Sequence, residues 1–165
     1  MNKVLVIIGS DSDKDKMKGC IDTLEKLKID YEYRIASAHR TSKHAEKLAE
    51  DAAELGFSAI IAGAGMAAAL PGALAASTIL PVIGVPFNSS SLGGVDALYA
   101  IVQMPPGIPV ATMGIDGAQN AALLAARILA LNNPLLSLRL QDYVKDMRDK
   151  VLEKDRLLQE SLGQE

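Results

Sequence analysis

Tryptophan is absent from this 165-residue chain, cysteine occurs once, histidine twice, and aromatic side chains make up only 4% of it. Each scarcity excludes something. A single cysteine, Cys20, permits neither an internal disulfide nor a thiolate metal cluster, and reads as a buried helix-packing residue. Without tryptophan there is little to stack on nucleic-acid bases, and the lysines and arginines are scattered through a chain of formal net charge −3 rather than gathered in a basic stripe. No apolar run approaches the roughly 20 residues of a membrane span. The N-terminal Met1-Asn2-Lys3-Val4 enters a strand-like run without a signal-peptide pattern. The expectation is a cytoplasmic protein with neither nucleic acid nor membrane as partner. His39 and His44 are five apart, which does not put them on one helical face as a metal pair requires; His44 is assigned to the surface, and no metal is expected.

What is present is a repeated pattern. At this length and 22% charged, residues 1–165 fit one domain with enough mass to bury a core. Strand signals occur at Lys3 to Ile8, Tyr31 to Ala36, Phe57 to Ala62, Pro81 to Val85 and Pro109 to Met113. A helical pattern follows each, at Asp13 to Lys28, Ser42 to Leu55, Met66 to Ser77, Val95 to Gln103 and Ala118 to Leu131. Runs such as Val4-Leu5-Val6-Ile7-Ile8 and Ala59-Ile60-Ile61-Ala62 are continuously apolar, as strands buried on both faces are. The alternation predicts an α/β fold over residues 1–131: a three-layer, flavodoxin-like parallel sheet of order 2-1-3-4-5. In that order the switch point lies between strands 1 and 3, so the loops Gly9 to Asp13 and Gly63 to Leu70 flank the ligand crevice. A long helix is predicted over 134–161, with Leu136, Leu140, Tyr143, Met147 and Val151 in one apolar stripe. Two surfaces suit that stripe: another subunit, which makes it an assembly helix, or the chain's own sheet.

Ser37-Ala38-His39-Arg40-Thr41 carries the strongest chemical signal, because it sits between a strand and a helix that Thr41 is expected to cap. Histidine titrates near neutrality and moves protons, while arginine holds planar anions such as phosphate or carboxylate. The pair suggests acid/base work on an anionic substrate; the bland alternative is two surface residues. Gly9-Ser10-Asp11-Ser12-Asp13 opens a helix with free N–H groups and hydroxyls. It reads as a phosphate-ribose cradle, with Ser10 for phosphate and Asp13 for ribose, or as a helix start capped by Ser12 or Asp11. It lacks the lysine of a Walker loop. Gly63-Ala64-Gly65-Met66-Ala67-Ala68 is similar to a dinucleotide fingerprint but has no acidic residue about 20 positions on, so no nicotinamide cofactor is expected. Its small residues serve either close ligand approach or tight helix–sheet packing. The polar loop from Phe87 to Asp96 is placed to fold over a ligand, with Asp96 as a possible cap for the next helix.

In order, Gly-Ser-x-Ser-Asp from Gly9, Ser-Ala-His-Arg-Thr from Ser37, Ala-Gly-Ala-Gly from Ala62, Leu-Pro-Gly from Leu70, Ile-Val-Gln-Met-Pro-x-Gly-Ile-Pro-Val-Ala-Thr from Ile101 and Asn-Ala-Ala-Leu-Leu-Ala-Ala from Asn120 resemble the N5-carboxyaminoimidazole ribonucleotide mutase family of purine biosynthesis, over about residues 3–131. The resemblance implies a cofactor-free, metal-free shift of a carboxylate from N5 to C4 of the aminoimidazole ring. It also implies a homo-octamer whose active sites are lined by neighbouring subunits. His39 matches the family's general acid/base. Ser10, Asp13 and Arg40 match its substrate-binding positions, and Ser37, Ala38, Gly65 and Leu70 complete the expected contacts. One position departs. The family usually reads Gly-Gly-Ala-Ala-His-Leu-Pro-Gly, whereas Gly65-Met66-Ala67-Ala68-Ala69-Leu70-Pro71-Gly72 puts Ala69 where the second histidine stands, which implies a slower enzyme. Alternatives are an aminoimidazole ribonucleotide carboxylase using free carbon dioxide, a related carboxylase, or a non-enzymatic phosphate-binding module. A receiver domain would need an aspartate ending strand 3, where Ile61-Ala62-Gly63 has none, and a flavodoxin would need aromatics around its flavin.

Overall fold

Alternate residues of the central strands feed two separate cores, and this makes the architecture three-layered. In the computed structural model, which describes residues 3–163, Val4, Val6 and Ile8 of β1 (Lys3–Ile8) point to one face while Leu5 and Ile7 point to the other. The same alternation runs through β3 (Phe57–Gly65), with Ala59 and Ile61 on the first face and Ile60, Ala62 and Ala64 on the second. With β2 (Asp30–Ile35), β4 (Val82–Phe87) and β5 (Ala111–Thr112), these form a five-stranded parallel sheet of order β2-β1-β3-β4-β5. The order and the flavodoxin-like fold are those expected. β2 is an edge strand, which is why Tyr31 to Arg34 are only half-buried. The first face is covered by α1 (Lys18–Lys26) and α5 (Ala118–Ala130), and the second by α2 (Ser42–Asp51), α3 (Leu70–Ala76) and α4 (Val95–Val102). Cys20 is buried in the first core as expected, and burial pushes its thiol up to about 12. No described helix is long and apolar enough to cross a membrane.

Several boundaries differ, each for a local reason. The first helical pattern begins as two 3₁₀ turns, Asp11–Asp13 and Asp15–Met17, because Ser10 bonds locally to Ser12 and tightens the backbone. The third does not start at Met66: β3 continues to Gly65, Met66 and Ala68 have φ of 55° and 23°, and helix begins only at Leu70 with Pro71 in its first turn. Left-handed backbone cannot enter an α-helix. α2 stops at Asp51, and the chain turns through Gly56 at φ 82°. β5 keeps two residues of the five expected.

The final helix, α6 (Pro134–Ser161), has the predicted bounds, and Asn133 Oδ1 caps it by accepting from Leu136 N at 3.1 Å. Its stripe is only partly covered. Leu136 and Tyr143 are buried and Leu140 packs beside them on the first core, while the Tyr143 hydroxyl accepts from Gln119 Nε2 at 2.8 Å. Met147 and Val151 are 44% and 65% exposed. Of the two surfaces open to the stripe, the chain's own core takes the first three turns.

Candidate active site

Parallel strands bring the loops after β1, β2 and β3 to one edge of the sheet, where they line an open-mouthed cavity of about 460 Å³. Ser10 and Asp13 come from the first loop, Ser37, Ala38, His39 and Arg40 from the second, and Gly65, Ala69 and Leu70 from the third. All nine residues singled out in the sequence line this one cavity. Each loop has its own means of holding them.

In the first loop Ser10, rather than Ser12 or Asp11, is the cap: its Oγ accepts from Ser12 N at 3.4 Å and Ser12 Oγ at 3.0 Å, and donates to Asp11 Oδ1 at 3.2 Å. Burial pushes the Asp13 carboxyl above the usual carboxylate range; Lys16 opposes that rise and Asp11 adds to it. In the second loop Thr41 makes no capping bond to α2. Its hydroxyl instead accepts from Ser37 N at 2.8 Å and donates to Ser37 O at 3.2 Å, while Ser37 Oγ accepts from Arg40 N at 3.2 Å. The resulting turn leaves His39 and Arg40 exposed at the cavity edge, with Arg40 Nη2 donating to Gly9 O at 3.2 Å. His44 is exposed and is absent from this cavity's lining.

The third loop explains its glycines by packing. A Cβ on Gly63 would lie 2.2 Å from the Phe87 ring, and one on Gly65 would lie 2.6 Å from Ser89 Cβ and Oγ. Only glycine lets the β4 side approach this closely. Met66 is 61% exposed in left-handed backbone, and Ala69 sits half-buried at φ −72° immediately before α3. Ala64, Ala68 and Leu70 supply a buried apolar wall.

One lining residue was not anticipated, Lys16, and a second, Ser89, had not been singled out within its loop. Lys16 lies three residues after Asp13, a one-turn spacing that is the only sequence hint of it. Ser89 represents the loop that was expected to fold over a ligand. Asp96 does not cap α4: Gly94, at φ 85°, occupies that position, and Asp96 Oδ1 is buried without a hydrogen-bond partner. Among the described residues no group of three or more His, Cys, Asp or Glu side chains is arranged to hold a metal ion. Chemically, the cavity offers an arginine, a lysine and hydroxyls for anions, a carboxylate for hydroxyls, an imidazole for protons, and an apolar wall.

Comparison with known proteins bears on this geometry. Residues 3–150 match the family model described as AIR carboxylase. The N5-carboxyaminoimidazole ribonucleotide mutase of Pyrococcus abyssi is 55% identical over 148 residues, covering 90% of this chain and 85% of that protein. The phosphoribosylaminoimidazole carboxylase of Schizosaccharomyces pombe is 52% identical over 149 residues, 90% of this chain but 27% of that longer protein. The crystal structure of Treponema denticola PurE superposes with a TM-score of 0.87 at 31% identity, covering 94% of this chain and 98% of that one.

Proposed function

The chain belongs to the AIR carboxylase family, and on that premise we propose that it converts N5-carboxyaminoimidazole ribonucleotide to 4-carboxy-5-aminoimidazole ribonucleotide in purine biosynthesis. The observation that carries the reading is the convergence of His39, Arg40, Ser10 and Asp13 from two separate loops on one cavity walled by Ala64, Ala68 and Leu70. Arg40, Ser10 and Ser37 hold the phosphate, and Asp13 takes the ribose hydroxyls. Ala38, Gly65 and Leu70 shape the space for the ring. His39 is the acid/base.

The chemistry balances with one imidazole. The N5–carboxylate bond breaks and releases carbon dioxide, and its electron pair stays on N5, which takes a proton from the imidazolium. C4 then attacks carbon dioxide, forming the carbon–carbon bond, and the neutral imidazole removes the C4 proton. Histidine ends as it began, so the step asks for no cofactor or metal. A dry wall keeps the carbon dioxide beside the ring. Ala69, at the position where the resembled family carries a second histidine, makes this a slow member. The long helix is the assembly element of a homo-octamer, and the single 1–165 domain works in the cytoplasm.

A second reading rests on the fungal relative, whose name is a carboxylase: direct carboxylation of aminoimidazole ribonucleotide by free carbon dioxide. Incubation with N5-carboxyaminoimidazole ribonucleotide, followed by carbon NMR of the ring carboxylate, separates the readings. Appearance of the C4 carboxylate without added bicarbonate supports the mutase. Product that forms only from aminoimidazole ribonucleotide and bicarbonate makes the chain a carboxylase. Binding without any turnover leaves a phosphate-binding module.

A further inference from the structure

We propose that Lys16 is a positioning residue for this reaction, latching the loop after β4 across the end of β3 so that this loop can close the cavity around the released carbon dioxide. The inference rests on the mutase reading above. Lys16 follows β1, Asn88 and Ser89 follow β4, and β3 lies between those two strands in the sheet. The lysine side chain therefore spans the C-terminal end of β3. Its Nζ donates to Asn88 O and, at 3.0 Å, to Ser89 Oγ. Gly65 makes the crossing possible, since a Cβ at that position would lie 2.6 Å from Ser89 Cβ and Oγ. Lys16, Gly65 and Ser89 all line the cavity.

The rest of the loop shows why a latch matters. On its far side Asn88 N donates to Asp116 Oδ1 at 3.1 Å, and downstream the chain passes through Gly93 and Gly94 at φ of 65° and 85°. Asn88 is thus gripped from both sides, and Lys16 supplies the grip from the β1 side. Hydrogen bonds from an ammonium are stronger than neutral ones, yet this pair is exposed to water, so the latch can still release for substrate and product. Carbon dioxide is small and uncharged, and no hydrogen-bonding group can retain it by affinity. Closure must do so. The position also escaped the sequence because Lys16 and Ser89 are 73 residues apart.

The test uses the full chain, its Lys16→Met, Lys16→Arg and Ser89→Ala variants, and substrate carrying a ¹³C-labelled N5-carboxylate in unlabelled bicarbonate. Label retained in the C4 carboxylate and aminoimidazole ribonucleotide released are measured above the non-enzymatic background. Lys16→Met is expected to raise label loss and nucleotide release about tenfold, the effect of losing a charged hydrogen bond on a closing equilibrium. Ser89→Ala should give a smaller rise, and Lys16→Arg should restore retention. Amide hydrogen exchange over residues 88–92 should quicken by about the same factor in Lys16→Met. Unchanged label retention in both Lys16→Met and Ser89→Ala overturns the proposal, as does a higher KM with retention intact, which would make Lys16 an anion-binding charge. If the parent chain forms no C4 carboxylate, the mutase reading falls instead. The exchange rates then judge the latch alone, and unchanged exchange at residues 88–92 overturns it.

Discussion

Arg40 donates from Nη2 to the carbonyl oxygen of Gly9 at 3.2 Å, tying the loop after β2 to the loop after β1 at the cavity mouth. One donor is spent on the protein, and the remaining N–H groups of the guanidinium are available to an anion. On the proposed function, this contact sets where Arg40 would meet the substrate phosphate.

Arg40→Ala should therefore weaken nucleotide binding by about 1.5–3 kcal/mol, the range for a charge-assisted hydrogen bond, and less at high salt because Arg40 is exposed. Isothermal titration calorimetry at two ionic strengths checks both. An unchanged Kd would return Arg40 to the solvated surface.

His39→Asn should cut turnover by about 10²–10⁴-fold, the usual worth of a positioned proton carrier, while nucleotide Kd stays within about tenfold. The turn itself survives, because it is held by Ser37 and Thr41 rather than by the imidazole. Turnover equal to the parent's would remove His39 from the mechanism.

Ala69→His should raise the mutase rate by about 10–100-fold, or about 1–3 kcal/mol of transition-state stabilisation. Ala69 is half-buried, in ordinary right-handed backbone, and lines the cavity, so an imidazole there projects from a position without backbone strain. Steady-state kinetics of the two forms decide the matter. An equal or lower rate for Ala69→His would mean that alanine belongs to a differently adapted site.

Truncation separates the buried and the exposed parts of the α6 stripe. A chain ending at Lys145 keeps Leu136 and Tyr143 on the first core and should melt near the parent temperature, yet fail to assemble. A chain ending at Asn133 also strips those two side chains, each worth about 1.5–3 kcal/mol when fully buried, and should be markedly less stable. Light scattering that finds the parent's oligomer in the Lys145 truncation would refute the assembly role.

The sheet order, the run of helices and the three loops that line the cavity follow from patterning along the chain, and Ala69 stood out only through the family resemblance. The apolar runs of β1 and β3 require cover on both faces, and parallel order follows from helices that separate the strands. Once the strands are parallel, their C-terminal loops must share one edge, so His39, Ser10 and Gly65 are read together without any knowledge of contacts. The tertiary structure alone decided what lies outside that logic. Met66 and Ala68 are left-handed although their composition is helical, in a segment where Phe87 and Ser89 press close to Gly63 and Gly65. Thr41 closes a turn instead of capping a helix because Ser37 folds back within reach of its hydroxyl. The apolar stripe of α6 is covered by its own core only as far as Tyr143, and Met147 and Val151 stay exposed. Lys16 reaches Ser89 across β3. Periodicity and capping are properties of a few consecutive residues and survive in the sequence, whereas close approach between distant segments is fixed only when the whole chain packs.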